Sequence, residues 1–190
     1  IELGDAARLL QANPDLDVET FTNKLIVPGL IDCHVHFPQV DIIASYGEQL
    51  LDWLHRYAYP AEMRYSDADY AVAAAEFFLD ELLANGTTTA AVFATVHPQS
   101  ADAIFKAADK RDLRLIAGKV LMDRNCPDAL SDDPQSAFED SKQLIERWHG
   151  KGRLGYAITP RFAVTSSDEQ LAAAGRLATE FPDTWVHTHL

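Results

Sequence analysis

Two closely spaced pairs of histidines are the residues of this sequence best suited to chemistry. His34 and His36 end the stretch LIVPGLIDCHVH, and His187 and His189 lie in DTWVHTHL. Residues two apart in an extended strand share one face, so each pair presents two imidazole rings side by side. Adjacent imidazoles are typical ligands of zinc-type cations, although a pair of hydrogen-bonded core histidines is the alternative interpretation.

The segments that must position these histidines alternate between apolar strands and amphipathic helices. The pattern predicts strands over residues 25–37, 87–96, 113–122, 154–158 and 184–189, and helices over residues 49–59, 67–84, 100–110, 133–148 and 167–181. Strands and helices that alternate with short connections are typical of a parallel sheet covered by helices. No G-x-G-x-x-G motif follows the first strand, which disfavours a dinucleotide-binding fold.

The number of strands and the length of the sequence indicate part of a barrel. A (β/α)8 barrel of the TIM type needs roughly 250 residues, whereas this sequence has 190. The predicted fold class is therefore α/β, with about the first five strands of such a barrel present. Catalytic groups in these barrels lie at the C-terminal ends of the strands. His189 lies nearer that end than His187, so His189 is the better ligand candidate, and His187 would pack deeper or orient a ligand.

The composition restricts the class of partner. The net charge is −13 and 47% of the residues are hydrophobic, which suits an acidic domain with a sizeable core. Such a charge repels phosphate backbones and anionic lipid, so neither nucleic acid nor a membrane is expected as a partner. Cys33 and Cys126 are far apart and form no disulfide or metal pattern, which favours a reducing, cytoplasmic location.

Longer stretches of the sequence resemble one family. VPGLIDCHVH is similar to the entry strand of the amidohydrolase superfamily, whose members are metal-dependent barrel hydrolases. EQLLDWLHRYAYPAE, NGTTTAAVFATVHPQS, AGKVLMDRN, AITPRF and DTWVHTHL resemble successive blocks of the guanine deaminases within it. The resemblance runs from about residue 23 to residue 190 and includes stretches with no catalytic residue, so it is more specific than the histidines alone.

The resemblance implies a set of site residues and a division of the chain. The implied metal ligands are His34, His36 and His189, and the implied substrate contacts are Gln39, Arg161 and Phe162. The family's catalytic Glu, a later His and an Asp of the eighth strand would follow Leu190, so this chain alone is expected to be inactive. Residues 1–24 would be a lead-in and a remnant of a small flanking β domain, and residues 25–190 the first part of the barrel, truncated after strand five. Because no Met precedes Ile1, we expect a piece of a longer protein.

The chemistry of the candidate substrate residues agrees with a purine base. The planar fork of Arg161 can bond two adjacent acceptors such as O6 and N7 of guanine, although a surface ion pair is the alternative in so acidic a chain. Gln39 has both a donor and an acceptor for the other edge of the base. Phe162 and Trp53 would stack on or enclose the ring, unless they only pack in the core. His97, which follows the second strand, would line the mouth of the barrel, or it would be a loop histidine whose hydrogen bonds are made within the protein.

The expected reaction is hydrolytic deamination of guanine to xanthine and ammonia, in purine catabolism or salvage. One Zn²⁺ per site is implied, because the region Tyr156–Arg161 lacks the lysine of binuclear relatives. The zinc would activate the water that attacks C2, and a carboxylate beyond Leu190 would transfer protons. Alternatives are another mononuclear deaminase or chlorohydrolase, acting on cytosine, an S-adenosyl-type purine or a triazine, and a non-catalytic barrel fragment. The expected partner is the purine base, with a homodimer as an open possibility.

Overall fold

A parallel β-sheet forms the centre of the molecule, which is a computed structural model that describes residues 2–190. Its strands are β1 (Leu30–His36), β2 (Thr87–Phe93), β3 (Arg114–Gly118), β4 (Val120–Leu121), β5 (Leu154–Pro160) and β6 (Trp185–Val186). The order is β1-β2-β3-β5, and β4 and β6 both pair with β5. Because only Lys119 separates β3 from β4, these two occupy one strand position, and the sheet has five positions in chain order. The predicted five-stranded parallel sheet is confirmed.

Apart from the first helix, which precedes β1 and has no buried residue, the helices follow the strands, and the last four cover the sheet. The helices are α1 (Ala6–Ala12), α2 (Leu50–Trp53), α3 (Tyr59–Met63), α4 (Ala68–Ala84), α5 (Pro98–Lys110), α6 (Pro134–Trp148) and α7 (Asp168–Glu180). Four of them begin at a side-chain cap, because Asp5, Asp67, Asp133 and Ser167 accept hydrogen bonds from backbone N–H groups of the first turn. None of the helices within residues 2–190 combines the length and the apolar character needed to cross a bilayer.

The core lies between the sheet and helices α4 to α7. All seven residues of β5 are buried, as expected for an inner strand of a parallel sheet with both faces covered. Phe105 of α5 stacks on Trp148 of α6 at 5.8 Å and on Tyr156 of β5 at 6.1 Å between ring centroids. These aromatic contacts hold α5 and α6 against β5. The faces of the sheet are thus covered, and the C-terminal strand ends remain as the place where side chains can meet a ligand.

The two outer strands are shorter than the sequence pattern predicts. β1 begins at Leu30 and not at Leu25, because its first pairing is with Thr87, the first residue of β2. Residues 25–29 lie ahead of that pairing and are exposed. At the other edge β6 has two residues, yet the backbone N–H groups of His187 and His189 still donate to the carbonyls of Ile158 and Arg161 at 3.0 and 3.1 Å. The ladder therefore continues far enough to position both histidines.

A single turn of π-helix, called the π-turn below, interrupts the helix between the first and second strands. Leu54–Ala58 forms a π-helix between α2 and α3, and the N–H of Tyr59 donates to the carbonyl of Leu54 five residues earlier. The cause is Pro60, which has no N–H and whose ring clashes with the carbonyl four residues before it, so the chain widens there. The predicted helix over 49–59 therefore continues to Met63, and this carries Glu62 to the same end of the sheet as the histidines.

A glycine-to-alanine pair tests the packing of the sheet. A Cβ at Gly118 would lie 1.8 Å from the carbonyl oxygen of Ala157 on the neighbouring strand, whereas a Cβ at Gly175 on α7 would meet no atom within 4 Å. Gly118→Ala is expected to destabilise the full-length protein by about 3 kcal/mol or more, since backbone cannot move aside cheaply. The control Gly175→Ala should stabilise it by about 0.5–1 kcal/mol. Thermal unfolding measures both, and a Gly118→Ala protein that melts like the unmodified one would refute the close approach.

Candidate active site

Three histidines converge at the C-terminal ends of β1 and β6. Their Nε2 atoms form a triangle, with 3.2 Å between His34 and His36, 3.1 Å between His34 and His189, and 3.1 Å between His36 and His189. Three such nitrogens cannot all be hydrogen-bonded to one another, because each neutral imidazole nitrogen is either a donor or an acceptor. Ligand nitrogens around a tetrahedral zinc ion lie about 3.3–3.4 Å apart. The triangle therefore fits a cation better than a core histidine pair.

The ring nitrogens of His189 and His34 that face away from the triangle have partners that bear on their tautomers. The Nδ1 of His189 lies 2.8 Å from the backbone carbonyl oxygen of Arg161, and since a carbonyl only accepts, this Nδ1 carries the proton. The Nδ1 of His34 lies 2.8 Å from the Nε2 of His187, which can accept a hydrogen bond from it. The first contact leaves Nε2 of His189 with a free lone pair, and the second does the same for His34 when its Nδ1 is the donor. His187 thus lies behind His34 and outside the triangle.

Burial favours the neutral form of His34, His36 and His187. Desolvation, reinforced by the Arg161 guanidinium and the neighbouring histidines, lowers the pKa of His36 to about 2. Desolvation and then His189 lower the pKa of His34. Desolvation, followed by His34 and His189, lowers the pKa of His187 to about 4. At neutral pH these rings are uncharged, which is the form that binds a metal ion.

Phe93 is a neighbour of the triangle that the sequence pattern did not single out. This buried residue ends β2, and its Cα is paired in register with that of His36. Its ring stacks on His36 with 4.6 Å between centroids and lies 5.0 Å from His34 and 4.6 Å from His189. The only signal in the sequence was a bulky aromatic residue at the end of the second strand. Phe93 gives the three imidazoles an apolar wall that restricts their rotation.

A cavity of about 330 Å³ adjoins the triangle and collects the predicted substrate residues. Its walls come from β1, the helix before the π-turn and the loop after β5. The residues that line it are His36, Gln39, Leu50, Trp53, Leu54, Arg161, Phe162, His189 and Leu190. All four predicted substrate residues are therefore brought together beside two of the candidate metal ligands. The volume falls within the range of small-molecule sites.

Arg161 is buried and forms an ion pair with Glu62. Only 2% of the surface of Arg161 and 1% of that of Glu62 is accessible. Nη1 donates to one carboxylate oxygen of Glu62 at 2.6 Å, and Nη2 donates to the other at 3.0 Å. Burial lowers the pKa of the guanidinium, but Glu62 outweighs it, so the net pKa of Arg161 is raised. The structure confirms an ion pair at Arg161, but the predicted surface location is wrong, because both side chains are buried.

His97 lies apart from this cavity. It precedes α5 and is half-buried, and its Nε2 has no hydrogen-bond partner within residues 2–190. Desolvation, then the nearby Lys119, lowers its pKa. Lys119 itself is buried and paired with Asp132, so His97 adjoins a second polar cluster. His97 therefore does not line the cavity, and it is not a loop histidine with all of its hydrogen bonds made.

Comparison with known proteins identifies the class. The model of the amidohydrolase family matches residues 25–190, and the chain belongs to this family. The chain is 59% identical to guanine deaminase of Escherichia coli strain K12, over 93% of this chain and 40% of that protein. It is 43% identical to a probable guanine deaminase of Deinococcus radiodurans, over 97% of this chain and 42% of that one.

Solved structures show the same relationship. Guanine deaminase from Bradyrhizobium japonicum superimposes with a TM-score of 0.96 at 44% identity, over 98% of this chain and 40% of that one. Guanine deaminase from C. acetobutylicum with bound guanine superimposes with a TM-score of 0.89 at 32% identity, over all of this chain and 44% of that one. The chain spans about two fifths of the length of these relatives. Its sheet is therefore part of the (β/α) barrel of this family, as predicted.

Proposed function

We propose that the full-length protein deaminates guanine hydrolytically, with water and guanine as substrates and xanthine and ammonia as products. The observation that carries the proposal is the juxtaposition in one cavity of a three-histidine triangle and a buried guanidinium. His36 and His189 belong to both the triangle and the cavity, so a base held by Arg161 lies beside the candidate metal position. The similarity to guanine deaminases supports the same choice of substrate.

We assign one zinc ion to His34, His36 and His189. Zinc supplies Lewis acidity and lowers the pKa of a bound water molecule toward neutrality. The three imidazoles fit this ion because their free Nε2 atoms lie 3.1–3.2 Å apart. The backbone carbonyl of Arg161 and the ring of His187 keep the protons on the opposite nitrogens of His189 and His34.

Arg161 supplies the recognition of the oxo group. A guanidinium has five N–H donors, and Glu62 occupies one on each terminal nitrogen. The edge formed by Nε–H and a terminal N–H remains for a ligand. That edge matches the adjacent O6 and N7 acceptors of guanine, whereas adenine presents an amino donor in place of O6. Gln39 supplies an amide for the pyrimidine edge, and Phe162 and Trp53 supply apolar walls for the ring.

A panel of amino-substituted bases tests this substrate choice. The zinc-loaded full-length protein is assayed for ammonia release from guanine, adenine, cytosine, S-adenosylhomocysteine and an amino-triazine. Guanine is expected to exceed each of the others in kcat/KM by at least about 100-fold, the difference that one or two lost hydrogen bonds to a charged group would cause. Faster release of ammonia from any other compound would assign the site to a different deaminase.

The cellular setting is part of the same proposal. Cys33 and Cys126 are both free thiols, which supports a reducing compartment and hence the cytoplasm. The partner that the site supports is the free purine base, because the cavity combines the hydrogen-bonding groups of Gln39 and Arg161 with the apolar rings of Trp53 and Phe162. The reaction belongs to purine catabolism or salvage.

A further inference from the structure

Glu62 contacts both of the side chains to which base recognition is assigned. Its carboxylate accepts hydrogen bonds from both terminal nitrogens of Arg161, and one of its oxygens also accepts from Nε2 of Gln39 at 3.3 Å. Gln39 follows β1 and Arg161 follows β5, so these contacts join the loops of two strands that are not neighbours in the sheet. Neither residue is adjacent to Glu62 in sequence.

The geometry of the ion pair restricts the orientation of the guanidinium. A bidentate contact through both terminal nitrogens fixes the plane of the fork. The ring of Tyr59 lies under it, 5.3 Å from the central carbon of the guanidinium. With one edge bonded to Glu62 and one face against Tyr59, the edge that carries Nε–H is left for the cavity. An arginine that could rotate freely would lose conformational entropy each time a base bound, and that loss would weaken binding.

The position of Glu62 depends on the π-turn before it. Tyr59 and Glu62 both belong to α3, which the π-turn at Leu54–Ala58 separates from α2. The same turn begins at Leu54, which lines the cavity. One irregular helix therefore supplies the cavity wall, the ring under Arg161 and the carboxylate that holds it. π-turns of this kind are frequent at functional sites.

We propose that Glu62 is a positioning residue that makes the site selective for 6-oxopurines, by holding Arg161 and Gln39 in the orientation that reads the base. The inference rests on the proposed function, because it deepens the account of the same site. Glu62 itself touches neither the triangle nor the reacting amino group. Its contribution is to direct the donors of Arg161 toward the position of O6 and N7.

Two substrates that share the reacting group separate positioning from a merely structural role. Guanine and 2,6-diaminopurine both carry the 2-amino group that leaves, but only guanine has an oxygen at C6. In the full-length enzyme, Glu62→Gln replaces one acceptor with a donor that faces the guanidinium. We expect kcat/KM for guanine to fall by about 30-fold or more, with kcat/KM for 2,6-diaminopurine changed by less than about 3-fold, since only the oxo-reading donors are displaced. The ratio of kcat/KM for guanine to kcat/KM for 2,6-diaminopurine should therefore fall by about tenfold or more.

Control variants and a measurement of bound zinc show whether the fold and the metal content are unchanged. Glu81→Gln, an exposed change of the same type on α4, should leave the ratio as it is. Bound zinc should be unchanged in Glu62→Gln, because His189 is oriented by the backbone carbonyl of Arg161, and Glu62 reaches His36 only indirectly, through Gln39, whose Nε2 lies 3.4 Å from Nδ1 of His36. When Arg161 is already alanine, adding Glu62→Gln should not lower the ratio of kcat/KM for guanine to that for 2,6-diaminopurine any further. If Glu62→Gln fails to fold, Glu62→Asp keeps the charge on a shorter side chain and should narrow the ratio to a smaller extent.

The results separate this inference from the function on which it rests. An unmodified enzyme that does not deaminate guanine overturns both. An unmodified enzyme that deaminates guanine, together with a folded Glu62 variant that slows both substrates equally or neither, overturns only the role of Glu62. A further narrowing in the Arg161→Ala background also overturns it, because Glu62 would then act by a route other than Arg161.

Discussion

Replacement of His36 by alanine in the full-length protein is expected to remove most of the bound zinc and nearly all guanine turnover. The Nε2 of His36 lies 3.2 Å from that of His34 and 3.1 Å from that of His189, so its loss leaves two of the three nitrogens in this chain that can hold the ion. A Lewis acid contributes several kcal/mol to such a reaction, which corresponds to a decrease in kcat of about three orders of magnitude or more. Metal analysis and xanthine formation measure the two effects.

His149→Ala is the matched control for this change. His149 ends α6, and its Nδ1 accepts a hydrogen bond from the backbone N–H of Tyr156 at 3.1 Å. It is separate from the triangle and from the cavity that adjoins it. The control variant should retain its zinc, although it leaves the N–H of the buried Tyr156 unpaired and should lose about 1–3 kcal/mol of stability. A His36→Ala protein that keeps one zinc ion per chain and turns over normally would show that His36 is not a ligand.

Replacement of Arg161 by alanine is expected to lower kcat/KM for guanine by at least about 100-fold while zinc is retained. A hydrogen bond to a charged group contributes about 1.5–3 kcal/mol, and two such bonds to O6 and N7 would be lost. The backbone carbonyl that orients His189 stays in place. The variant also leaves Glu62 as an unpaired buried charge, which destabilises a protein by about 3–5 kcal/mol, so its thermal unfolding is measured beside its kinetics.

Arg161→Lys distinguishes recognition from stability. The ammonium keeps a positive charge against Glu62, so most of the stability should return, but it has no planar fork to bond two acceptors at once. Guanine turnover should therefore stay far below that of the unmodified enzyme. Arg176→Ala, an exposed change on α7, serves as the control for loss of one positive charge. Full recovery of turnover with lysine would contradict the two-bond contact.

The elements and the histidine triangle could be predicted from the sequence because their signals are local. Alternation of apolar strands with capped helices is visible within each segment, and the spacing of His34 and His36 places both rings on one face of a strand. β1 and β6 lie at opposite ends of the strand order, so His189 meets the other two histidines across the sheet and not through a neighbouring strand. The resemblance to guanine deaminases pointed to the same residues, and it added Gln39, Arg161 and Phe162, which lie in one cavity.

Contacts between distant parts of the chain could not be predicted in this way. Glu62 and Arg161 are separated by 99 positions, so nothing near either residue indicates a buried ion pair. The stacking of Phe93 on His36 depends on the register between β1 and β2, which periodicity does not specify. The π-turn follows from Pro60, but a proline in a helical pattern predicts a kink or an end as readily as a wider turn.

The most direct test of the account is the formation of xanthine from guanine by the full-length protein before and after its metal is removed and restored. The three imidazoles are the donors assigned to zinc, so chelation should abolish xanthine formation. Addition of about one equivalent of zinc per chain should restore it, as expected for a single mononuclear site. Unchanged xanthine formation by the metal-free protein, or none by the protein with zinc restored, would contradict the account.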